Sequence, residues 1–119
     1  MQPDPRAAAY IWDALRFARN VEVAVGGTPL EMYLEGGPVA WATERQMELV
    51  GEALNNLRKT DPETASHVPD IHKIIGMRNV LIHGYAEVNS KIVWLAATQA
   101  VPLLIPILEA LLVEIPRTS

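Results

Sequence analysis

Proline and glycine cut this chain into segments, and the segments between the cuts have helical spacing. Asp4-Pro5 reads as an N-cap followed by a first helical residue, a place where proline's missing N–H costs nothing. Ala8, Ile11, Trp12, Leu15 and Ala18 then recur three and four residues apart until Gly26-Gly27 ends the run. Thr28-Pro29-Leu30-Glu31 has the form of a capping box and opens a short helix that ends at Gly36-Gly37-Pro38. A third helix is expected from about Val39 to Leu57, with Met47, Val50, Leu54 and Leu57 on one stripe. Asp61-Pro62 and Val68-Pro69-Asp70 bracket a connecting segment. The fourth helix begins near Asp70 and ends near Gly84. The fifth runs from around Ser90 to about Ile115, with a kink or break expected at Pro102 and Pro106. No stretch alternates at period two long enough for a strand. The expectation is an all-α chain: one helical domain over residues 1–119, packed as an antiparallel bundle of four to five helices.

Composition narrows the function. The 119 residues include no cysteine, which excludes disulfides, thiolate metal sites and a cysteine nucleophile and fits a reducing, cytoplasmic setting. The start, Met1-Gln2-Pro3-Asp4-Pro5-Arg6, lacks the regions of a signal peptide. The longest apolar stretch, Val101 to Val113, is interrupted by Pro102, Pro106 and Glu109 and is short for a bilayer span, so no membrane association is expected. A formal charge of −4 argues against general nucleic-acid binding by counterion release. Half of the residues are hydrophobic and only 20% are charged, an apolar excess that suits self-association or an obligate partner.

The chemistry concentrates in Met77-Arg78-Asn79-Val80-Leu81-Ile82-His83-Gly84-Tyr85, in a chain with only three His and three Tyr. At about 100° per residue, Ile71, Ile74, Ile75, Leu81 and Ile82 form one apolar stripe with Arg78 inside it. His72, Gly76, Asn79 and His83 form a second strip. Arg78 and His83 are about 140° apart on an ideal helix, so they do not point at one spot unless two chains combine or the last turn loosens. An arginine within an apolar stripe is ordinarily a structural ion-pair partner, here for Glu44, Glu48 or Glu52. A histidine in a last turn ordinarily complements the helix dipole. Tyr85 after a glycine is ordinarily an edge of the core, and His67 and His72 are expected to be solvated. No spacing of carboxylates and histidines suggests a metal site, and no cofactor is called for.

The same residues suit metal-free RNA cleavage. That reaction uses the 2′-hydroxyl as an internal nucleophile. It needs a base for its proton, an acid for the leaving 5′-oxygen and a cation for the phosphorane. Histidine titrates near neutral pH, and arginine offers forked donors to phosphate oxygens. Asn79 would orient His83 or hold a phosphate oxygen. Tyr85, seven residues beyond Arg78, would contact substrate or carry a modification.

Read as R-N-x-x-x-H-x-Y, this run resembles the signature of HEPN-domain ribonucleases, and its surroundings are similar to the HepT-like toxins of that group. Glu44-Arg45-Gln46-Met47-Glu48-Leu49-Val50-Gly51-Glu52-Ala53 looks like the family's ERxLexIGEA helix. Ile74-Ile75-Gly76-Met77-Arg78-Asn79, then Leu81 and His83-Gly84-Tyr85, resembles its IIGMRNxLxHGY core. Ile92-Val93-Trp94 and Pro102-Leu103-Leu104 fit its last helix. The resemblance implies an all-α HEPN domain that homodimerises, with Arg78 and His83 as catalytic residues at the dimer cleft and Asn79 in support. It also implies a toxin-like endoribonuclease acting on RNA, with tRNA among the candidate substrates. The implied partner is an MntA-type nucleotidyltransferase antitoxin that transfers AMP to Tyr85. Two other readings stand beside it: a non-catalytic nucleotide- or nucleotidyltransferase-binding helical module, and a purely structural helical dimer.

Overall fold

The computed structural model describes residues 4–83 and 89–114, and no strand occurs among them. The elements are α1 (Pro5–Val25), α2 (Leu30–Leu34), α3 (Pro38–Thr60), α4 (Pro62–Ala65), α5 (Ile71–His83), α6 (Ser90–Leu95), a π turn (Ala96–Ala100) and α7 (Val101–Glu114). The protein is all-α, as its punctuation implies.

The caps show which signals work. Asp4 accepts a hydrogen bond from the Arg6 backbone N–H at 2.8 Å and starts α1. Hydrogen bonds from the Arg6 side chain and backbone hold its carboxyl below the ordinary range. The capping box at Thr28 does not form. Pro29 is extended, α2 starts at Leu30, and no side chain caps it. Thr28 works through its backbone instead. Its N–H donates to the Val25 carbonyl at 3.0 Å, and its carbonyl accepts the Trp94 indole N–H at 2.9 Å. Gly37, at a φ of 100°, turns the chain into α3 where a side chain would be strained. That helix outlasts expectation, to Thr60, with Arg58 and Lys59 beside its terminal carbonyls. The connecting segment holds a one-turn helix, α4, capped by Asp61 through the Thr64 N–H at 3.1 Å and hydroxyl at 2.7 Å.

The disturbance expected at Pro102 and Pro106 takes the form of a π turn before Pro102 and not of a break in the helical rod. The Val101 N–H donates to the Ala96 carbonyl, five residues back, which closes the π turn just before Pro102. A proline ring crowds the preceding turn and gives no N–H, and the wider turn accommodates both effects. Pro106 sits within α7, which runs on to Glu114.

The core lies between α1, α3 and α7. Ile11, Leu15, Val21, Val50, Leu54 and Leu108 are fully or almost fully buried. Among the described residues Thr43 is the buried polar one, and its hydroxyl donates to the Val39 carbonyl at 2.8 Å. Arg19 of α1 reaches Glu109 of α7 at 3.0 Å on the surface. The molecule measures 48 × 27 × 19 Å. Its thinnest dimension is about two helix diameters, so helices on either side keep an outer face.

That matters most for the helical rod from Ser90 to Glu114. Its 25 residues, with a mean hydropathy of 1.8 in the most apolar window, are long and apolar enough to cross a membrane by length and composition. The rod starts eleven residues before the apolar stretch of residues 101–113, at Ser90. One face of the rod is core, with Val93, Ala97, Val101, Leu104, Leu108 and Leu111 buried. The other carries Ile92 and Leu103, the latter 71% exposed. Between this face and α5 runs a groove of about 890 Å³, walled by Met77, Val80 and Leu81 on one side and Ile92, Leu103 and Ile107 on the other.

Candidate functional site

The site rests on α5, a helix with different surroundings on each side. Ile71 and Ile75 are buried. Ile74 and Leu81 are only half-buried, and Ile82 is 44% exposed, so the stripe read from the sequence is not a buried stripe throughout. The reason is geometric: α5 packs on α3, while the α6–α7 rod stands off across the groove.

Arg78 is half-buried on the α3 side. Its Nη1 donates to Asn79 Oδ1 at 2.8 Å, and its Nε is buried without a hydrogen-bond partner. The ion pair expected with Glu44, Glu48 or Glu52 is absent among the described residues. Glu48 is engaged by Arg45 at 3.1 Å instead. Burial, and then the charge of Glu48, pushes the Glu44 carboxyl above its ordinary value.

The helix stays regular through His83, which is exposed in its last turn. The angular separation of Arg78 and His83 is therefore not relieved by unwinding. The arginine side chain reduces it by turning toward Asn79. Asn79 and His83 are four residues apart and share a face at about 100° per residue. The exposed His72 lies on that face too. Arg78 thus reaches Asn79, whose face His83 shares, while Lys73, Ile74, Gly76, Met77, Val80 and Leu81 line the groove. Gly76 and His83 are about 20° apart around the helix, so the polar strip borders the groove along one edge. Tyr85 and Gly84 lie outside the described residues. No group of three or more His, Asp or Glu among the described residues could hold a metal ion. Across from Arg78 lies Gly51 of α3, whose role the sequence reading did not single out. Its signal was a glycine inside an otherwise regular helix.

The arrangement places a guanidinium beside an amide, with an imidazole on the same face as the amide. The family model described as ribonuclease HepT-like matches residues 15–111, which takes in the polar strip and both walls of the groove. The chain belongs to the HepT-like ribonuclease family. It is 38% identical over 66% of its length to a protein of Caldanaerobacter subterraneus subsp. tengcongensis named as a candidate RNase, covering 69% of that protein. A candidate RNase of Methanocaldococcus jannaschii is 30% identical over 78% of this chain and 70% of its own. No solved structure matches.

Proposed function

We propose that this HepT-like chain is a toxin-type endoribonuclease that cleaves RNA without a metal, using Arg78 and His83 as its catalytic residues. The observation that carries the reading is the Arg78–Asn79 hydrogen bond, which turns the guanidinium toward the face of His83 without an ion pair to a glutamate. In the reaction the 2′-oxygen bonds to phosphorus and the bond to the 5′-oxygen breaks. The products are a 2′,3′-cyclic phosphate and a 5′-hydroxyl. His83 takes the 2′-proton or returns one to the leaving oxygen, and Arg78 stabilises the charged phosphorane. Asn79 holds the guanidinium and leaves its amide N–H groups for a phosphate oxygen or the imidazole.

The working unit in this proposal is a homodimer joined through the groove. A second copy would cover apolar walls that one chain leaves open, and would bring its own acid or base to the edge where the polar strip runs. Control belongs to an MntA-type nucleotidyltransferase antitoxin. It would join the Tyr85 hydroxyl oxygen to the α-phosphorus of ATP, with loss of pyrophosphate and the hydroxyl proton. The added charge, two residues along the chain from His83, would repel RNA.

The test is incubation of purified protein, with an intact mass that shows a bare Tyr85, with total RNA and tRNA in EDTA. Cleavage by the wild type, lost in His83→Ala and in Arg78→Ala, is the expected result. Cleavage that persists in both variants sinks the proposal. No cleavage by the wild type favours a nucleotide- or nucleotidyltransferase-binding module, for which the open groove is already a physical argument.

A further inference from the structure

The seam between α3 and α5 has one unusually close approach. A methyl group on Gly51 would stand 2.3 Å from Arg78 Cβ, 2.9 Å from Arg78 Cγ and 3.3 Å from the Ile74 carbonyl oxygen. The two nearest atoms are the first two of the arginine side chain. The nearer of them, Cβ, cannot move aside without moving the α5 backbone. Gly51 is buried in the middle of a 23-residue helix. Glycine in a helix interior is less favourable than alanine, so its place needs a packing or functional reason.

We infer that Gly51 is a positioning residue: its bare α-carbon seats the stem of Arg78 against α3 and so aims the guanidinium at the Asn79–His83 face. The guanidinium then follows from its root. Nε lies buried and without an acceptor, and Nη1 meets Asn79. No glutamate among the described residues holds the cation, so it is fixed by shape and one amide rather than by a counter-charge. A guanidinium locked to a carboxylate would have its charge neutralised before an anion arrived. This one keeps its charge for a phosphate. The inference rests on the reading that Arg78 grips the scissile phosphate, but the seating itself can be measured separately.

The experiment uses the full chain carrying Gly51→Ala, beside the wild type and Arg78→Lys. Proton–nitrogen NMR of the arginine Nε–H groups reads the seating, and the signal missing in Arg78→Lys identifies Arg78. In the wild type that proton should exchange with water at least about tenfold more slowly than those of exposed arginines, and Gly51→Ala should abolish the protection. In the cleavage assay Gly51→Ala should lower kcat by about tenfold to a hundredfold with a smaller change in KM, as expected for a misplaced rather than missing group. A Gly51→Ala protein that keeps a protected Nε–H and the wild-type kcat overturns the inference. Should Gly51→Ala fail to fold, the wild-type signal decides: an Arg78 Nε–H that exchanges as fast as exposed ones overturns it. Should the wild type cleave no RNA, the ribonuclease reading fails while the NMR comparison still decides the seating.

Discussion

The α1–α3 seam and the α5–rod seam are both pairings of apolar helices, yet only the first is closed. Along α1 the inward face is Ala7, Ile11, Ala14, Leu15, Ala18 and Val21, with alanines between the larger side chains. Small residues at those places let α3 approach, and Val50, Leu54 and Leu57 fill the spaces between them. Across the groove Met77, Val80 and Leu81 are set opposite Leu103 and Ile107, and the small residues Gly76, Ala96 and Ala100 line it as well. Small residues alone do not bring these helices together. Periodicity marks a face as apolar in both cases. How the helices are placed decides whether one chain can cover it.

The largest expected effect breaks the closed seam. Leu54→Ala removes a side chain with no exposed surface and should cost about 2–5 kcal/mol of unfolding free energy. Denaturant unfolding at two protein concentrations checks it, and the loss should be the same at both. Leu81→Asp, in the open seam, should behave differently. With a second copy in the groove, it should convert a dimer to a monomer in analytical ultracentrifugation and lose the concentration dependence of unfolding that the wild type shows. A wild type that sediments as a monomer at micromolar concentration would remove the dimer from the proposal.

The same contrast explains what was legible beforehand. Asp4-Pro5, Gly36-Gly37-Pro38 and Asp61-Pro62 act through their own backbone chemistry, so their helix ends could be read one segment at a time. Thr28-Pro29-Leu30-Glu31 misled because its cap competes with a tertiary contact: the Thr28 carbonyl serves Trp94, from a helix that starts some sixty residues later. Pro102 marked a disturbance of the helix but not its form, because a π turn depends on the turn before the proline as well as on the proline itself. At the site, Arg78, Asn79 and His83 were legible as a motif. The helical wheel left Arg78 and His83 apart, and the path of one side chain toward Asn79 is what brings the guanidinium round. Gly51 was not legible as a neighbour of Arg78, because the partner of a mid-helix glycine is known only once two helices are packed.

A smaller effect should come from the tie that holds the rod at one end. Trp94→Phe deletes the indole donor to the Thr28 carbonyl and should cost about 1 kcal/mol. Calorimetric melting checks it. A loss several times larger would mean that this tie, more than the core face of α7, sets how far the rod stands from α5, and the groove would then be an adjustable gap.

The smallest effect lies at Glu44, where α2 meets α3. Its carboxyl is raised by burial and then by Glu48, and its charge in turn adds to the burial that pushes the Tyr33 hydroxyl up to about 12. The folded protein therefore holds the Glu44 proton more tightly than the unfolded chain does. Stability from this group is full below the unfolded value of 4.5, falls as pH rises through the higher folded value, and is flat above it. Glu44→Gln should leave stability unchanged at acid pH and raise it slightly near neutrality. The same variant should let Tyr33 ionise at a lower pH, though still above 10.0, because burial is the larger cause and remains. Ultraviolet titration of the tyrosines reads this second effect without reference to folding energy. A Glu44→Gln protein with the wild-type pH profile and an unmoved Tyr33 would show that water reaches this corner. The closed packing of α1 on α3 would then end before α2, and the open region would extend from the groove to this end of the bundle.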